Sequence, residues 1–329
     1  MSLFAGVILL AIMSSMTCAL PGTFLVLRHE SMLVDAMSHA VLPGIVIGAI
    51  ISGTTHSFLM AVLAAVMGIV VVLAAKWLRS TGLIAGDANQ GLIFPFLFAV
   101  GVLLLSTVLK SVHVCEDTVL TGDMNLNALP TEQVVIGDFS YGPEAFWKMF
   151  IVFGLNIAFV AVFYRVLKLS TFDPALARTM GMPTKRVEWA LMFLVSLTVV
   201  VAFDTAGAIL VVAFVVVPPA TALLLSRTLP QMILIGQVVA VTSALAGFFV
   251  AYYLDLPTSA MMAVIDGLVF LTVLATKRAL IAGKRRTIAR NQTKSNSAYE
   301  AEFATLSTDQ SIKRPFVQDS SKAKCDLVG

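Results

Sequence analysis

The chain has 329 residues, of which 58% are hydrophobic and 12% are charged, and its mean hydropathy is +0.93. A soluble domain is about 45–50% apolar and about 25% charged, so the composition excludes an ordinary cytosolic enzyme. The three cysteines (Cys18, Cys115 and Cys325) are far apart and odd in number, which excludes a disulfide framework and a C-x-x-C metal site. The composition predicts an integral membrane protein with several spans.

The net charge of +3 is distributed unevenly along the chain. Residues 277–329 contain 11 Lys/Arg and 5 Asp/Glu, whereas the 276 residues before them contain 11 Lys/Arg and 14 Asp/Glu. We therefore predict a transmembrane domain, residues 1–277, followed by a basic tail, residues 278–329. The tail is expected to lack fixed structure and to form a solvated cytoplasmic extension.

Apolar segments long enough to cross a bilayer predict an all-α fold with eight or nine transmembrane helices. The count depends on residues 188–226, which are too many for one helix. Asp204 to Gly207 offers a break, and the Pro218-Pro219 pair is expected to interrupt the second helix. The first segment lacks a basic start and is too long for a cleaved signal peptide. The predicted segments lie near 3–27, 36–52, 57–76, 90–109, 146–167, 188–203, 207–226, 231–253 and 258–276.

Basic residues predict the orientation of these helices. Only Lys110 and Lys148 lie on one side, so the positive-inside rule makes the other side cytoplasmic. The loops 77–89 and 168–187 and the C terminus are then cytoplasmic, the 110–145 loop is external, and nine helices place the N terminus outside. The basic residues on the cytoplasmic loops are Arg28, Lys76, Arg79, Arg165, Lys168, Arg178, Lys185, Arg186 and Arg227.

The remaining loops are too short for a soluble catalytic domain. The sequence contains no G-x-x-x-x-G-K-[ST] phosphate loop, no G-x-S-x-G nucleophile elbow and no H-E-x-x-H zinc motif. If ATP drives transport through this protein, the ATPase is therefore a separate polypeptide.

Two ionisable residues within a predicted span, Asp35 and His39, are candidates for function because charged groups are costly there. Their spacing of four places both on one helix face. A carboxylate and an imidazole suit manganese, iron(II) or zinc rather than copper(I), and a two-fold dimer would supply two of each ligand. The alternative is a hydrogen bond between the two near a helix start. Further along, Gly44 and Gly48 allow close helix packing.

Other polar residues give weaker signals. Asp204 lies near the external end of a span, where water can solvate it. Asp266 lies eight residues into the last span, where it must face protein or water, and either carboxylate is a candidate proton carrier. The external loop contains possible cation ligands, although exposed acids usually face only water: His113, Cys115, Glu116, Asp117 and Asp123.

The cytoplasmic loop predicts a short capped helix. Asp173 is the expected N-cap, Pro174 the first helical residue and Gly181 the C-terminal stop, and Ala175 to Met180 favour a helix. Such a helix on the cytoplasmic face can dock into a partner protein. The alternative is an ordinary amphipathic connector.

These motifs together resemble the membrane permease subunits of the metal-type ABC importers, which move manganese, zinc or iron(II). The likeness covers roughly residues 3–278 in the expected order. Its most specific part is the D-x-x-x-H-A-x-x-P-G element that begins at Asp35. The matching stretches are 24–28, 35–44, 113–122, 172–181 and 207–213.

The resemblance implies a fold like that of type II ABC importers, in which two permeases, identical or related, surround a channel. It implies that Asp35 and His39 form the metal site of the channel. It also implies that two copies of an ATP-binding subunit dock beneath and that an extracytoplasmic solute-binding protein delivers the ion. The docking residues would be Asp173, Pro174, Ala175, Leu176, Ala177, Arg178 and Gly181.

The predicted function is therefore that of the permease subunit of an ATP-driven divalent-metal importer in a bacterial cytoplasmic membrane. The chain is not expected to be an enzyme, to hold a permanent cofactor or to bind nucleic acid. Its partners are the lipid bilayer and the subunits named above, and ATP binds to the partner subunit. The alternative is a proton-coupled secondary metal transporter that uses Asp204 and Asp266 and needs no ATPase. Asp35 and His39 accommodate manganese, iron and zinc, so they do not rank the three metals.

Overall fold

The structure, a computed structural model, describes residues 3–52, 58–82, 88–108, 124, 133–136 and 139–309. Its contacts divide the chain into two units, Met1–Leu274 and Ala275–Gly329, and each is described by itself. The possible cation ligands predicted between His113 and Asp123 lie outside the described residues.

Helices dominate the described part of the chain. Two short antiparallel strands, which the sequence did not predict, lie within the 110–145 loop. The elements are α1 (Leu3–Leu27), α2 (Met32–Ser52), α3 (Phe58–Ser80), α4 (Ala88–Val108), β1 (Gln133–Ile136), β2 (Phe139–Pro143), α5 (Glu144–Phe172), α6 (Pro174–Thr179), α7 (Thr184–Ala206), α8 (Ala208–Leu225), α9 (Leu229–Leu254) and α10 (Thr258–Asp309).

The long helices confirm the predicted all-α, multi-pass membrane fold. Seven of those described (α1, α2, α5 and α7 to α10) are long and apolar enough to span a bilayer. Shorter apolar stretches, Val62–Leu78 and Gly91–Leu104, lie within α3 and α4. Among the described residues, nine helices have 18 residues or more, and the choice between eight and nine membrane crossings stays a prediction.

The predicted break between α7 and α8 is confirmed, but the predicted interruption of α8 is wrong. Gly207, with φ +81°, separates the two helices. α8 then continues through Pro218 and Pro219, both of which are buried. Proline removes the donor to the carbonyl one turn earlier, and its ring crowds that carbonyl. The carbonyl of Val215, four residues before Pro219, is one that loses its donor, and α8 packs closely against α1 there. A Cβ added to Gly22 of α1 would lie 2.0 Å from the Val215 carbonyl oxygen.

α1 is the central helix of the first unit. It packs against α5, α7, α8 and α9. Its side chains Leu10, Cys18 and Phe24 are fully buried. Because α1 is apolar on every face, it is favourable for other helices to surround it on all sides.

A second group of helices, α2, α3 and α4, packs through small residues. A Cβ added to Gly44 of α2 would lie 2.7 Å from the Cα of Ala64 in α3. A Cβ added to Gly101 of α4 would lie 2.8 Å from the ring of Pro43. The small residues after His39 therefore fix α2 against its own neighbours within the chain.

The basic tail differs from its prediction over the residues that the structure describes. α10 continues as a helix to Asp309, whereas residues 278–329 were expected to lack fixed structure. Residues 275–309 contain no proline, a single glycine (Gly283) and many Ala, Lys, Arg and Glu residues, which favour a helix. The boundary between a transmembrane domain and a tail at residue 277 stays a prediction.

Candidate functional site

α2 carries Asp35 and His39 close to its first residue, Met32. Asp35 lies in the first helical turn, where the helix dipole stabilises a carboxylate. The His39 Nε2 lies 3.5 Å from the Asp35 Oδ1, at the long limit for a hydrogen bond. The predicted spacing therefore brings the two side chains together, with lone pairs available for a further partner.

The face of α2 that carries the pair is open, although the rest of the helix is packed. The side chains of His39 and Asp35 are 27% and 43% exposed. In contrast, the neighbouring Ala36, Met37 and Ala40 are at most 1% exposed. An imidazole and a carboxylate on an open face of a packed helix can reach a ligand without unfolding anything.

Two aromatic rings of α4 hold the imidazole. The His39 ring stacks on the Phe94 ring, with centroids 5.2 Å apart. It meets the Phe98 ring in an edge-to-face arrangement, with centroids 5.5 Å apart. The phenylalanines are four residues apart, so they lie on one face of α4. Neither phenylalanine is among the site residues predicted from the sequence, although their spacing of four is a signal that could have indicated them. The rings limit rotation of the imidazole and keep it beside Asp35.

The pair is incomplete as a metal centre by itself. Among the described residues, no group of three or more His, Cys, Asp and Glu side chains could hold a metal ion together. One imidazole nitrogen and one carboxylate supply at most three ligand atoms, whereas manganese or zinc takes four to six. A full shell therefore needs further ligands besides these two side chains.

The structure places the other two predicted carboxylates in different surroundings. Asp204 is exposed, two residues before the end of α7. Asp266 is fully buried in α10, with its carboxyl group near the hydroxyl of Ser243 in α9. The first therefore lies on the surface of this chain near a helix end, whereas the second belongs to the packed interior.

The predicted capped helix is confirmed as α6. The Asp173 carboxylate accepts a hydrogen bond from the Leu176 backbone N–H at 2.9 Å, and Pro174 occupies the first turn. The chain leaves α6 through Gly181, whose φ of +69° suits glycine. The Met182 backbone N–H donates to the Ala177 carbonyl at 3.2 Å and so closes the helix end.

α6 and its flanks expose apolar side chains on the protein surface. Phe172, Leu176 and Met180 are 60%, 46% and 62% exposed, whereas Ala177 is fully buried. Ala177 thus anchors α6 to the bundle while the larger side chains remain uncovered. Leu176 is among the predicted docking residues, whereas Phe172 and Met180, which share its spacing of four, are not. Exposed apolar groups on a capped helix are typical of a docking surface.

The fold and these two motifs agree with one protein family. The family model described as the ABC 3 transport family matches residues 1–277. This chain belongs to the ABC 3 transport family. As a member of this family, it is a multi-pass permease subunit of an ABC transport system.

Two curated relatives cover most of the chain. The manganese transport system membrane protein MntD of Bacillus subtilis is 36% identical over 290 residues, which are 88% of this chain and 97% of that protein. The zinc transport system membrane protein TroD of Treponema pallidum is 39% identical over 267 residues, which are 81% of this chain and 72% of that protein.

A solved structure has the same fold. PsaBC from Streptococcus pneumoniae, determined in complex with a Fab, matches with a TM-score of 0.68 and 24% identity. The match covers 83% of this chain and 91% of that chain. At this sequence identity, the match supports the arrangement of the helices.

Proposed function

We propose that this ABC permease moves manganese, iron(II) or zinc across a bacterial cytoplasmic membrane, driven by ATP hydrolysis on a separate subunit. The observation that carries the proposal is the half-exposed Asp35–His39 pair, held by the aromatic rings of α4. Relatives named for manganese and zinc transport support a divalent transition metal as the cargo.

The chemistry of the pair suits transport better than permanent binding. Carboxylate and imidazole ligands accept manganese, iron(II) and zinc, and neither is soft enough to select copper(I). A second permease chain, identical or related, brings a second pair to the channel and so completes the coordination shell. A shell shared between two chains opens when the chains move apart, so the ion can be released.

The exposed residues around α6 suit the docking of an ATP-binding subunit. Two copies of that subunit dock beneath the paired permeases, with the segment from Asp173 to Gly181 as the coupling helix. An extracytoplasmic solute-binding protein delivers the ion from the other side. Substitution of Leu176 by Glu would place a charge within the apolar contact and disrupt docking, because burial of an unpaired charge is costly.

A variant of α6 tests this docking. Leu176→Glu should abolish ATP-driven uptake, and Arg178→Glu should uncouple ATP hydrolysis from transport, while both keep metal binding at Asp35. The matched control is Thr228→Glu, which adds the same charge at an exposed position between α8 and α9. Unchanged coupling in both α6 variants would move the docking surface elsewhere.

The second candidate function is a proton-coupled metal transporter that acts without an ATPase. Asp204 and Asp266 would carry the protons, but one is exposed near the end of α7 and the other is buried beside Ser243. Family membership and the capped helix α6 both favour the ATP-driven reading.

Uptake into vesicles separates the two functions. The chain is reconstituted with and without its ATP-binding subunit, and uptake of radioactive manganese, iron and zinc is measured with ATP or with a proton gradient. The proposal predicts uptake of at least one ion that requires both the subunit and ATP. Uptake that persists without the subunit and collapses with the proton gradient would contradict it.

A further inference from the structure

Arg28, the first residue after α1, makes contacts that the proposed function does not use. Its Nε donates a hydrogen bond to the Thr171 Oγ1 at 3.3 Å, and its Nη2 donates to the Ser170 Oγ at 3.0 Å. Ser170 donates its own hydrogen to the Leu167 carbonyl at 3.2 Å, so its oxygen is available as an acceptor. The guanidinium group therefore ties the end of α1 to the end of α5.

The turn that follows Arg28 is closed by backbone hydrogen bonds. The Glu30 N–H donates to the carbonyl five residues earlier at 2.9 Å, with His29 in the left-handed region at φ +57°. The Leu33 N–H then donates to the Glu30 carbonyl at 3.1 Å as α2 begins. Because the turn is short and bonded at both ends, a displacement of Arg28 reaches Asp35 in the first turn of α2.

The acceptors of Arg28 are joined directly to the docking helix. Ser170 and Thr171 lie in the last turn of α5, and the Asp173 N–H donates to the Leu169 carbonyl at 2.8 Å. The Asp173 side chain then caps α6 by accepting from the Leu176 N–H. A force on α6 is therefore applied to the segment that Arg28 holds.

Charged neighbours surround the contact. Burial lowers the pKa of Arg28, whereas Glu30 and Glu188 raise it, and arginine stays protonated in either case. Glu188 of α7 also accepts a hydrogen bond from Lys76 of α3, whose Nζ lies 4.4 Å from the centroid of the Trp189 ring. Glu30 lies in the turn after α1 and Glu188 lies on α7, so two carboxylates add negative charge around the guanidinium group.

We infer that Arg28 is a positioning residue that transmits displacement of α6 to α2 and so to the Asp35–His39 pair. The inference rests on the proposed function, since it names how the coupling helix acts on the metal pair. Arg28 needs no contact with the metal for this role. Its planar fork binds two hydroxyls at once, whereas a lysine ammonium in the same place holds them less rigidly.

The test measures the number of metal ions transported per ATP hydrolysed by the full complex in vesicles, together with equilibrium metal binding. Arg28→Met should lower this ratio about five-fold, a typical size for coupling through a contact network, while metal binding stays unchanged. Arg28→Lys should give an intermediate ratio. The control Arg227→Met removes an exposed charge between α8 and α9 and should leave the ratio unchanged.

A second variant approaches the contact from α5. Ser170→Ala combined with Thr171→Val should lower the ratio as much as Arg28→Met, and the triple variant should lose nothing further, because both remove the same interaction. A normal ratio in both variants would overturn the inference. Equal losses of thermal stability with a normal ratio would also overturn it, since they would make the contact a structural tie only.

The outcome is separable from failure of the proposed function. If the unmodified complex shows no ATP-driven uptake of manganese, iron or zinc, the proposed function fails and this inference fails with it. If the unmodified complex transports a metal and Arg28→Met keeps the full ratio, the inference alone is wrong.

Discussion

Polar side chains lie on long apolar helices in two regions of this protein, and the regions are built differently. Around α1, Asn156 is fully buried, and its Nδ2 donates to the Thr198 Oγ1 at 3.0 Å and to the Thr17 carbonyl at 3.4 Å. On α2, Asp35 and His39 are partly exposed and 3.5 Å apart. In the first region the amide donor is bonded to neighbouring helices, whereas in the second a carboxylate and an imidazole stay partly exposed and can meet a ligand.

The difference separates a structural role from a functional one. A buried amide that bonds two other helices fixes their packing, since an unpaired polar group there is costly. A partly exposed pair contributes little to packing and can bind an ion. Burial and partners, rather than residue type, therefore distinguish the two regions.

The largest expected effect tests the functional region. His39→Ala should lower metal uptake by at least about 100-fold, because loss of a ligand costs at least as much as loss of a residue that orients one. Protein yield and thermal stability should stay normal, since the side chain is partly exposed. Radiometal uptake per amount of folded protein measures the effect on transport, and thermal unfolding in detergent measures the effect on stability. Normal uptake would remove His39 from the site.

The next effect tests the structural region. Asn156→Ala should destabilise the protein by about 2 kcal/mol, from the lost hydrogen bonds and the cavity left behind. Uptake per folded protein should be unchanged. Thermal unfolding and uptake on the same preparation check both statements. Loss of uptake without loss of stability would place Asn156 in the transport path and break the comparison.

A smaller effect sharpens the account of how the pair is held. Phe98→Ala should lower uptake by about 10-fold, because residues that orient a metal ligand typically contribute this much. Phe98→Leu keeps the apolar contact without the aromatic edge and should retain more activity. The matched control is Phe96→Ala, which changes an exposed ring on the same helix. Equal uptake in all three variants would show that the rings do not orient His39.

The smallest effect concerns a buried carboxylate. Asp266→Asn should leave uptake per folded protein unchanged, since the ATP-driven account gives this side chain no role in moving ions. Asn keeps the shape of the side chain and its contact with Ser243. Uptake measured with ATP at a fixed proton gradient provides the test. Loss of transport here would support the proton-coupled alternative.

Much of the fold follows from local sequence signals. The lengths of the apolar segments predicted the long helices, and Asp173-Pro174 with Gly181 predicted both ends of α6. Prediction failed at Pro218-Pro219, because packing between helices can compensate for a missing hydrogen bond. The two strands of the 110–145 loop were not predicted either, since two short strands carry little periodicity.

Only part of the candidate site could be predicted, because spacing along the chain indicates contacts within one helix but not contacts between helices. Asp35 and His39 are four residues apart on one helix, so local spacing brings them together. The contacts of His39 with Phe94 and of Arg28 with Thr171 join residues far apart in the chain. Such contacts depend on how the helices pack, and the spacing of residues along the chain does not indicate that packing.

The most direct test of the central claim is equilibrium metal binding by the purified permease complex, with manganese and zinc as probes. The account predicts that Asp35→Ala and His39→Ala each abolish saturable binding, while Asp204→Ala, at an exposed carboxylate on α7, binds as the unmodified protein does. Unchanged saturable binding in both α2 variants would contradict it and would place the metal centre elsewhere in the permease.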